Sequence, residues 1–410
     1  MPAKSTTRRQ SGPLTGAIQT PTYYSAAELR ARRRRKRPLL RRLRWRRLLA
    51  AACGVALAVL LFSYVSAMLR PSSLPLGVRS IEWLRANGAA WLVNDAENLY
   101  YRWTAPRKGG PSLRALPTVG ITAARKTRIR PARIRPVLTP SLPGEGVWRA
   151  AGTPVDGSPP MLVTTFRPSA DYPRVVAYVA WIDHARTQLA LYPGRYEPPS
   201  RLPRGPMQVP YGERWRLLAT FNSGFTYRDG HGGFAVDGRT LTPLQPGKGT
   251  LVEYANGRVD VVTWRGGSTT GPNVVLARQN LPLIVDHGRP ASNLTDGPEW
   301  GATLGNAILV WRSAVGVDRH GNLLYAAAAD QTVASLAHIL IRAGAVRAIE
   351  LDINAEWPSL ITYRHVGGLV PTKVVPNGQQ PANRYLVPDD RDFFAVYRRV
   401  PGRSLLVPFR

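Results

Sequence analysis

The longest uninterrupted apolar stretch runs from Leu48 to Leu69 and carries no charge over 22 residues. At 1.5 Å per residue such a helix is about 33 Å long, enough to cross the hydrocarbon core of a bilayer. Between Val78 and Trp103 the apolar positions Ile81, Leu84, Trp91, Leu92 and Leu99 recur at helical spacing. That pattern predicts one or two helices, weakened in the middle by Gly88, with a face that packs on the remaining chain or lies on a membrane. From Pro106 to Pro143 prolines and basic residues alternate without a period, the composition of a stalk or an extended strap.

After Gly144 the texture becomes short β-rich runs divided by Gly, Pro, Asn and Asp. Strands are expected at Met161 to Phe166, Val175 to Ile182, Leu217 to Phe221, Thr250 to Tyr254, Val259 to Trp264, Leu281 to Val285, Ala307 to Val310 and Leu323 to Ala327. Asn256-Gly257 and His320-Gly321-Asn322 stand between apolar runs and predict hairpin turns. One strong helix is expected from Asp330 to Arg342, with Val333, Leu336, Ile339 and Leu340 on one face, Asp330 or Thr332 as its cap, and Gly344 ending it. A strand follows from Val346 to Ile353. Its alternation sets Ile349, Leu351 and Ile353 against Glu350, Asp352 and Asn354, and three polar groups on one face imply either a wet face or a site.

Charge changes this picture at the N-terminus. Residues 1 to 47 hold 15 Lys and Arg against the single acid Glu28. Basic residues beside an apolar span stay cytoplasmic, so everything after Arg70 is expected on the outer side of the membrane. A cleaved signal peptide is the rival, with small residues at Ser66 and Ala67, but 47 residues ahead of the apolar run are too many for a signal's n-region. The net charge of +31 invites a nucleic-acid reading. Removing the tail's share leaves scattered arginines with no zinc-finger, helix-turn-helix or RNA-binding pattern, so no nucleic-acid partner is expected. The lone cysteine, Cys53, falls in the apolar run, so the exported part has no disulfide. HExxH, GxSxG and EF-hand spacings do not occur, and the Asn293-Leu294-Thr295 sequon carries weight only in a host that glycosylates.

Three segments together resemble the phosphodiester glycosidase family. They are ATFNSGFTYRDGHGGFAVDGRTLTPL from Ala219, WRSAVGVDRHGNLLYAAA from Trp311, and AGAVRAIELDIN ending at Asn354. They are similar, in order, to the family's Asn-Gly-Gly-Phe-Phe segment with its hairpin, its Arg-(Thr/Ser)-Ala-(Ile/Val)-Gly run, and its alanine-rich helix leading into a Leu-Asp strand end. Where many members read Leu-Asp-Gly-Gly-Gly-Ser, this chain has Leu351-Asp352-Ile353-Asn354-Ala355-Glu356-Trp357.

The resemblance implies hydrolysis at the anomeric carbon of a sugar joined to a phosphodiester. A phosphate monoester is a good leaving group, so the demand shifts from an acid to cations that hold phosphate and one carboxylate at the sugar. By that resemblance Arg312 is the phosphate clamp and Asp352 the carboxylate, with Glu356 assisting; the plain alternatives are a salt-bridging arginine, a loop-capping aspartate and a surface glutamate. Asn222 and Gly224, His231 of the glycine-rich loop, Asn354 and Trp357 are the substrate-binding candidates. Asp352, Asn354 and Glu356 offer hard oxygen ligands, so a divalent cation (Ca or Mg) is a candidate cofactor, while no cofactor is certain and the metal is unknown.

The expectation is therefore an α+β chain with a strand-rich mixed-sheet extracytoplasmic domain and few helices, preceded by one transmembrane helix. Its parts are a basic cytoplasmic tail (1–47), the transmembrane helix (48–69), membrane-proximal helices and stalk (70–143), the glycosidase-like domain (144–401) and a C-terminal tail (402–410). The expected partners are the membrane and a sugar-phosphate or envelope glycan substrate. The alternative function is a non-catalytic binding module or scaffold for anionic cell-wall glycans.

Overall fold

A computed structural model describes residues 25–120, 130–292, 294, 300, 309–376 and 380–400. The sequon, the start of the strand expected at Ala307, and the 402–410 tail lie outside the described residues. The chain divides into two compact units, Met1–Ser66 and Ala67–Arg410. The first consists of a long helix, α1 (Ala26–Leu69), whose last three residues belong to the second. Trp45–Leu69 within it, with mean hydropathy 2.4, has the length and composition of a membrane-crossing helix or a signal sequence.

The second unit is a strand-rich α+β assembly, as the sequence predicts, and every strand pairing among the described residues is antiparallel. Two helices come first, α2 (Leu76–Ala86) and α3 (Ala90–Thr104), separated where Gly88 turns with φ 87°. Parts of the proline-rich segment then lie against the sheets. Val119 and Ile134 are buried in two different cores, and Ser112 accepts a hydrogen bond from Arg167 at 2.6 Å, so the described parts form a packed strap.

The largest sheet has eight strands in the order β1 (Arg149–Ala150), β2 (Met161–Phe166), β3 (Ala177–Ile182), β14 (Leu323–Gln331), β13 (Val310–Asp318), β15 (Ala345–Glu350), β11 (Leu283–Asp286), β12 (Arg289–Pro290). A five-stranded sheet orders β17 (Leu369–Lys373), β16 (Leu360–His365), β5 (Leu217–Asn222), β18 (Phe393–Arg398) and β4 (Thr187–Tyr192). A second five-stranded sheet orders β7 (Arg239–Thr242), β6 (Phe234–Val236), β10 (Val274–Gln279), β8 (Gly249–Tyr254) and β9 (Val259–Thr263). Asn256-Gly257 joins β8 to β9, and His320-Gly321-Asn322 joins β13 to β14, as hairpins.

The eight-stranded sheet is covered on both faces, which explains the unbroken apolar run of β14. One face, with Val315, Val317, Tyr325 and Ile349, joins a core shared with both smaller sheets. The other, with Ala314, Leu324, Ala326 and Ala348, is covered by α5 (Val333–Arg342) through Val333, Leu336, Ile339 and Leu340. Of the two expected caps of α5, Thr332 takes the role, in a reciprocal pair with Ser335. Asp330 stands ahead of it with a left-handed backbone, φ 54°.

Candidate functional site

The strand expected to run to Ile353 ends at Glu350. Its polar face is accordingly split between two environments. Glu350 lies on the α5 side of the sheet, opposite Ala314, and its carboxylate meets the Arg312 Nη1 at 2.6 Å. Arg312 is 0% exposed; its Nε donates to the Gln331 carbonyl at 2.7 Å and its Nη1 also to the Trp300 carbonyl at 3.0 Å. The Glu350 position is thus neither wet nor open, and Arg312 serves as its buried counter-ion.

Past the last regular pair of β15, Leu351 and Asp352 still exchange backbone hydrogen bonds with Ser313 of β13, at 2.7 and 2.8 Å. The Asn280 Nδ2 holds the carbonyls of Glu350 and of Leu351, the latter at 2.7 Å, and Ser313 Oγ takes the Asp352 amide at 3.2 Å. With the backbone pinned from both sides, the Asp352 carboxyl is turned toward the loop preceding β18. Its Oδ1 accepts the amides of Ile353 at 2.8 Å and Asn354 at 3.3 Å, and its Oδ2 accepts the Arg391 Nη2 at 2.8 Å. Asp352 is 5% exposed, and burial pushes its carboxyl up to about 6, against the pull of Arg391 and the two amides.

Arg391 is the residue the sequence reading missed. Its Nη2 also donates to the Gly224 carbonyl at 3.2 Å, and its guanidinium lies 4.6 Å from the Trp357 ring centroid. Its Nε is buried without a hydrogen-bond partner among the described residues. The Asp352, Glu197 and Asp392 charges hold its proton more tightly than usual although burial opposes this, burial being the largest single influence. Around it stand Arg278, paired to Asp392 at 2.6 Å, and Arg384, paired to Asp389 at 2.7 Å and lying 5.1 Å from the Trp357 ring. Glu197, whose carboxyl is raised by burial against Arg391 and the Tyr227 amide, adds a second carboxylate facing the same cation. The signal for this cluster was present in the sequence as Asp389-Asp390-Arg391-Asp392, four charges directly ahead of an apolar aromatic strand.

The remaining candidates fall in several places. Asn222 is saturated: its Nδ2 donates to the Ser223 carbonyl and Ser313 Oγ, and its Oδ1 accepts from Tyr325 and the Ser359 amide. It ties β5, β13 and β14 together inside the core. Gly224 belongs to the site through its carbonyl, and a Cβ there would meet the Asn280 side chain at 2.8 Å, which explains the glycine. His231 is exposed at the end of α4 (Tyr227–Gly230), with φ 48° and its ring edge-on to Tyr227. Asn354 caps the Glu356 amide through its Oδ1 at 3.0 Å, and the Glu356 Oε2 is buried without a partner among the described residues. Trp357 is buried with Leu74, just ahead of α2, and Val78 of α2. Ser72 and Ser73 of that segment donate to Asp390 at 3.2 Å and Asp389 at 3.0 Å.

Asp352, Asn354 and Glu356 direct oxygens to different partners, and among the described residues no group of three or more His, Cys, Asp or Glu is gathered as for a metal ion. A cavity of about 1000 Å³ opens elsewhere, bordered by Trp311, Tyr178, Tyr172, Asp330, Arg107 and Lys108. Neither Asp352 nor Arg391 lines it.

A buried carboxylate at a strand end thus meets an arginine whose Nε has no hydrogen-bond partner among the described residues. Residues 216–352, a stretch running from the start of β5 to Asp352 itself, match the phosphodiester glycosidase family model. The family is one of hydrolases of phosphodiester-linked sugars. Among solved structures, the chain is similar to the zebrafish N-acetylglucosamine-1-phosphodiester alpha-N-acetylglucosaminidase catalytic domain auto-inhibited by pro-peptide, at 16% identity over 61% of this chain and 87% of that one, TM-score 0.41. It is also similar to a hypothetical protein from Synechocystis (13% identity, 64% of each chain, TM-score 0.36) and to a putative exported protein from Burkholderia pseudomallei (14% identity, 54% and 74%, TM-score 0.34). No curated protein matches the chain.

Proposed function

We propose that this protein is a membrane-anchored extracytoplasmic hydrolase that cleaves the C1–O bond of a sugar-1-phosphodiester. Asp352 supplies the carboxylate at the anomeric carbon, and Arg391 holds the phosphate. The observation that carries this reading is the Asp352–Arg391 contact at 2.8 Å with the Arg391 Nε still uncommitted, within a family segment whose chemistry is sugar-phosphodiester hydrolysis. Asp352 accounts for one guanidinium hydrogen and Gly224 engages the same nitrogen, so the Nε edge keeps a donor for a phosphate oxygen. As the C1–O bond breaks, water bonds C1 through its oxygen and passes a proton to the Asp352 carboxylate, while the phosphate monoester departs as its anion and needs no acid. Arg312, fully engaged by Glu350 and two carbonyls, supports this site from beneath the sheet. The anchor reading rests on the basic residues ahead of Trp45–Leu69 and on their number.

The test is direct. The purified full chain in detergent or nanodiscs is incubated with methyl or lipid phosphodiesters of N-acetylglucosamine-1-phosphate, and release of free sugar is followed for wild type and Asp352→Asn. Turnover by wild type that the variant lacks is the expected result. Equal rates in the two proteins, or none in either, would overturn the hydrolase assignment to this site.

A further inference from the structure

The face of α3 turned away from the protein carries Leu92, Ala96, Leu99 and Trp103, the spacing of a single helical stripe, with Tyr100 beside it. All are exposed, Leu99 by 55% and Trp103 by 83%. Val93 points inward, and Glu97 meets Arg85 of α2 at 2.5 Å, so the orientation of the stripe is set by α2. The helix α2 is tied in turn to the end of the long apolar helix. The Arg79 Nη2 donates to the Ala67 carbonyl at 2.5 Å and to the Arg70 carbonyl at 2.6 Å, and Ser80 Oγ reaches the Met68 sulfur at 3.8 Å.

We propose that the exposed stripe of α3 lies in the headgroup region of the outer leaflet and that the Asp352–Arg391 site takes a phosphodiester whose phosphate is carried by a lipid. This rests on the hydrolase and anchor readings above and adds the orientation of the site and the class of its substrate. Chain length carries the second half. Leu69 ends the apolar segment and Ser72, bonded to Asp390, follows three residues later, so about 11 Å of extended chain separates them at most. Leu74, packed on Trp357, is at most about 18 Å from the same point. A bilayer's polar layer is itself roughly 5–8 Å thick on each side, so an inserted helix holds the site beside the headgroups. Ser72, Ser73 and Leu74 contact Asp390, Asp389 and Trp357, and the following α2 and α3 present tryptophan, tyrosine and leucine to the lipid, residues suited to that interface.

The experiment uses the full chain in phosphatidylcholine–phosphatidylglycerol vesicles. In a Cys53→Ser background, single cysteines replacing Leu92, Asn94, Leu99 and Trp103 are spin-labelled and their collisions with oxygen and with a water-soluble nickel chelate are compared. Labels at 92, 99 and 103 are expected to favour oxygen and the label at 94 the chelate. Four equally aqueous labels would overturn the proposal, and so would spin–spin broadening on the stripe, which would assign the face to a second copy of the chain. In parallel, Leu99→Glu and Trp103→Glu are expected to lose roughly tenfold or more in hydrolysis of vesicle-borne N-acetylglucosamine-1-phospholipid while keeping the wild-type rate on the soluble methyl phosphodiester. Unchanged rates on both substrates would overturn the substrate class. No hydrolysis of either substrate by wild type would sink the enzymatic reading and with it the substrate class, while the spin labels still decide the membrane contact.

Discussion

Glu350 and Asp352 lie two residues apart, each is almost wholly out of water, and each holds an arginine, yet the two pairs have opposite characters. Glu350 faces Arg312 from the middle of a sheet covered by α5, where the guanidinium also meets the Gln331 and Trp300 carbonyls. Asp352 faces Arg391 where the strand has ended, on a loop, with a tryptophan over the cation and one donor nitrogen left over. A sheet interior demands that every polar group be satisfied from within, and a strand end allows a group to wait for a ligand. Burial alone is therefore a poor marker of function; spare bonding capacity at the end of an element distinguishes the second pair from the first.

The comparison breaks most sharply at the carboxylates. Asp352→Asn keeps the size of the side chain and removes its charge, so turnover is expected to fall by about 10³-fold or more, on the order of 4 kcal/mol in the barrier, with the thermal midpoint little changed. A loss below tenfold in steady-state kinetics would move the chemistry elsewhere. Arg312→Met addresses the other pair. It leaves Glu350 buried without its cation, and denaturant titration is expected to show about 3–5 kcal/mol less stability. A variant of normal stability that has lost only turnover would return Arg312 to the role the sequence first suggested.

Smaller effects sharpen the same contrast. Arg391→Lys preserves charge but loses the planar fork and the stack on Trp357, so KM for the phosphodiester is expected to rise about 10–100-fold, corresponding to roughly 1.4–2.7 kcal/mol. The smallest effect is on the pH profile. With the Asp352 carboxyl at about 6 and its anion the working form, the rate should climb through pH 6 and level above it, about tenfold lower at pH 5 than at the plateau. The sign for stability is the reverse. The native state binds this proton more tightly than the unfolded chain, whose aspartates titrate near about 3.9, so the group's stabilising contribution is full below that value and is lost as pH rises through about 6. Stability curves of wild type and Asp352→Asn measured from pH 4 to 7 should differ in slope over that window.

Much of the fold was legible because local rules decided it. The apolar run of α1, the face and cap of α5, the hairpins at Asn256-Gly257 and His320-Gly321-Asn322, and β2 from Met161 to Phe166 each follow from periodicity or turn chemistry within a few residues. The strand expected through Ile353 has its last regular pair at Glu350; beyond it Leu351 and Asp352 still bond the Ser313 backbone, and Asn280, 70 residues from Glu350, holds the Glu350 and Leu351 carbonyls. Asp352 was singled out from its motif, whereas its ion-pair partner Arg391 was not, since no local pattern links a charge before β18 to a strand end behind β15. Asn222 looked like a substrate contact and is tied into the core, three of its four partners (Ser313 of β13, Tyr325 of β14 and the Ser359 amide) lying far from it in sequence and the fourth being the adjacent Ser223 carbonyl.

By itself the sequence determined where apolar surface had to be hidden: the 22-residue run, the two-faced strands and the striped helices. Only the tertiary structure decided which buried charges meet, seating Arg312 on Glu350 and Arg391 on Asp352. The physical reason is one of range. Hydrophobic periodicity is a property of neighbouring residues, while the pairing of an ion in a dry interior depends on whichever group the packed sheets carry within about 3 Å of it.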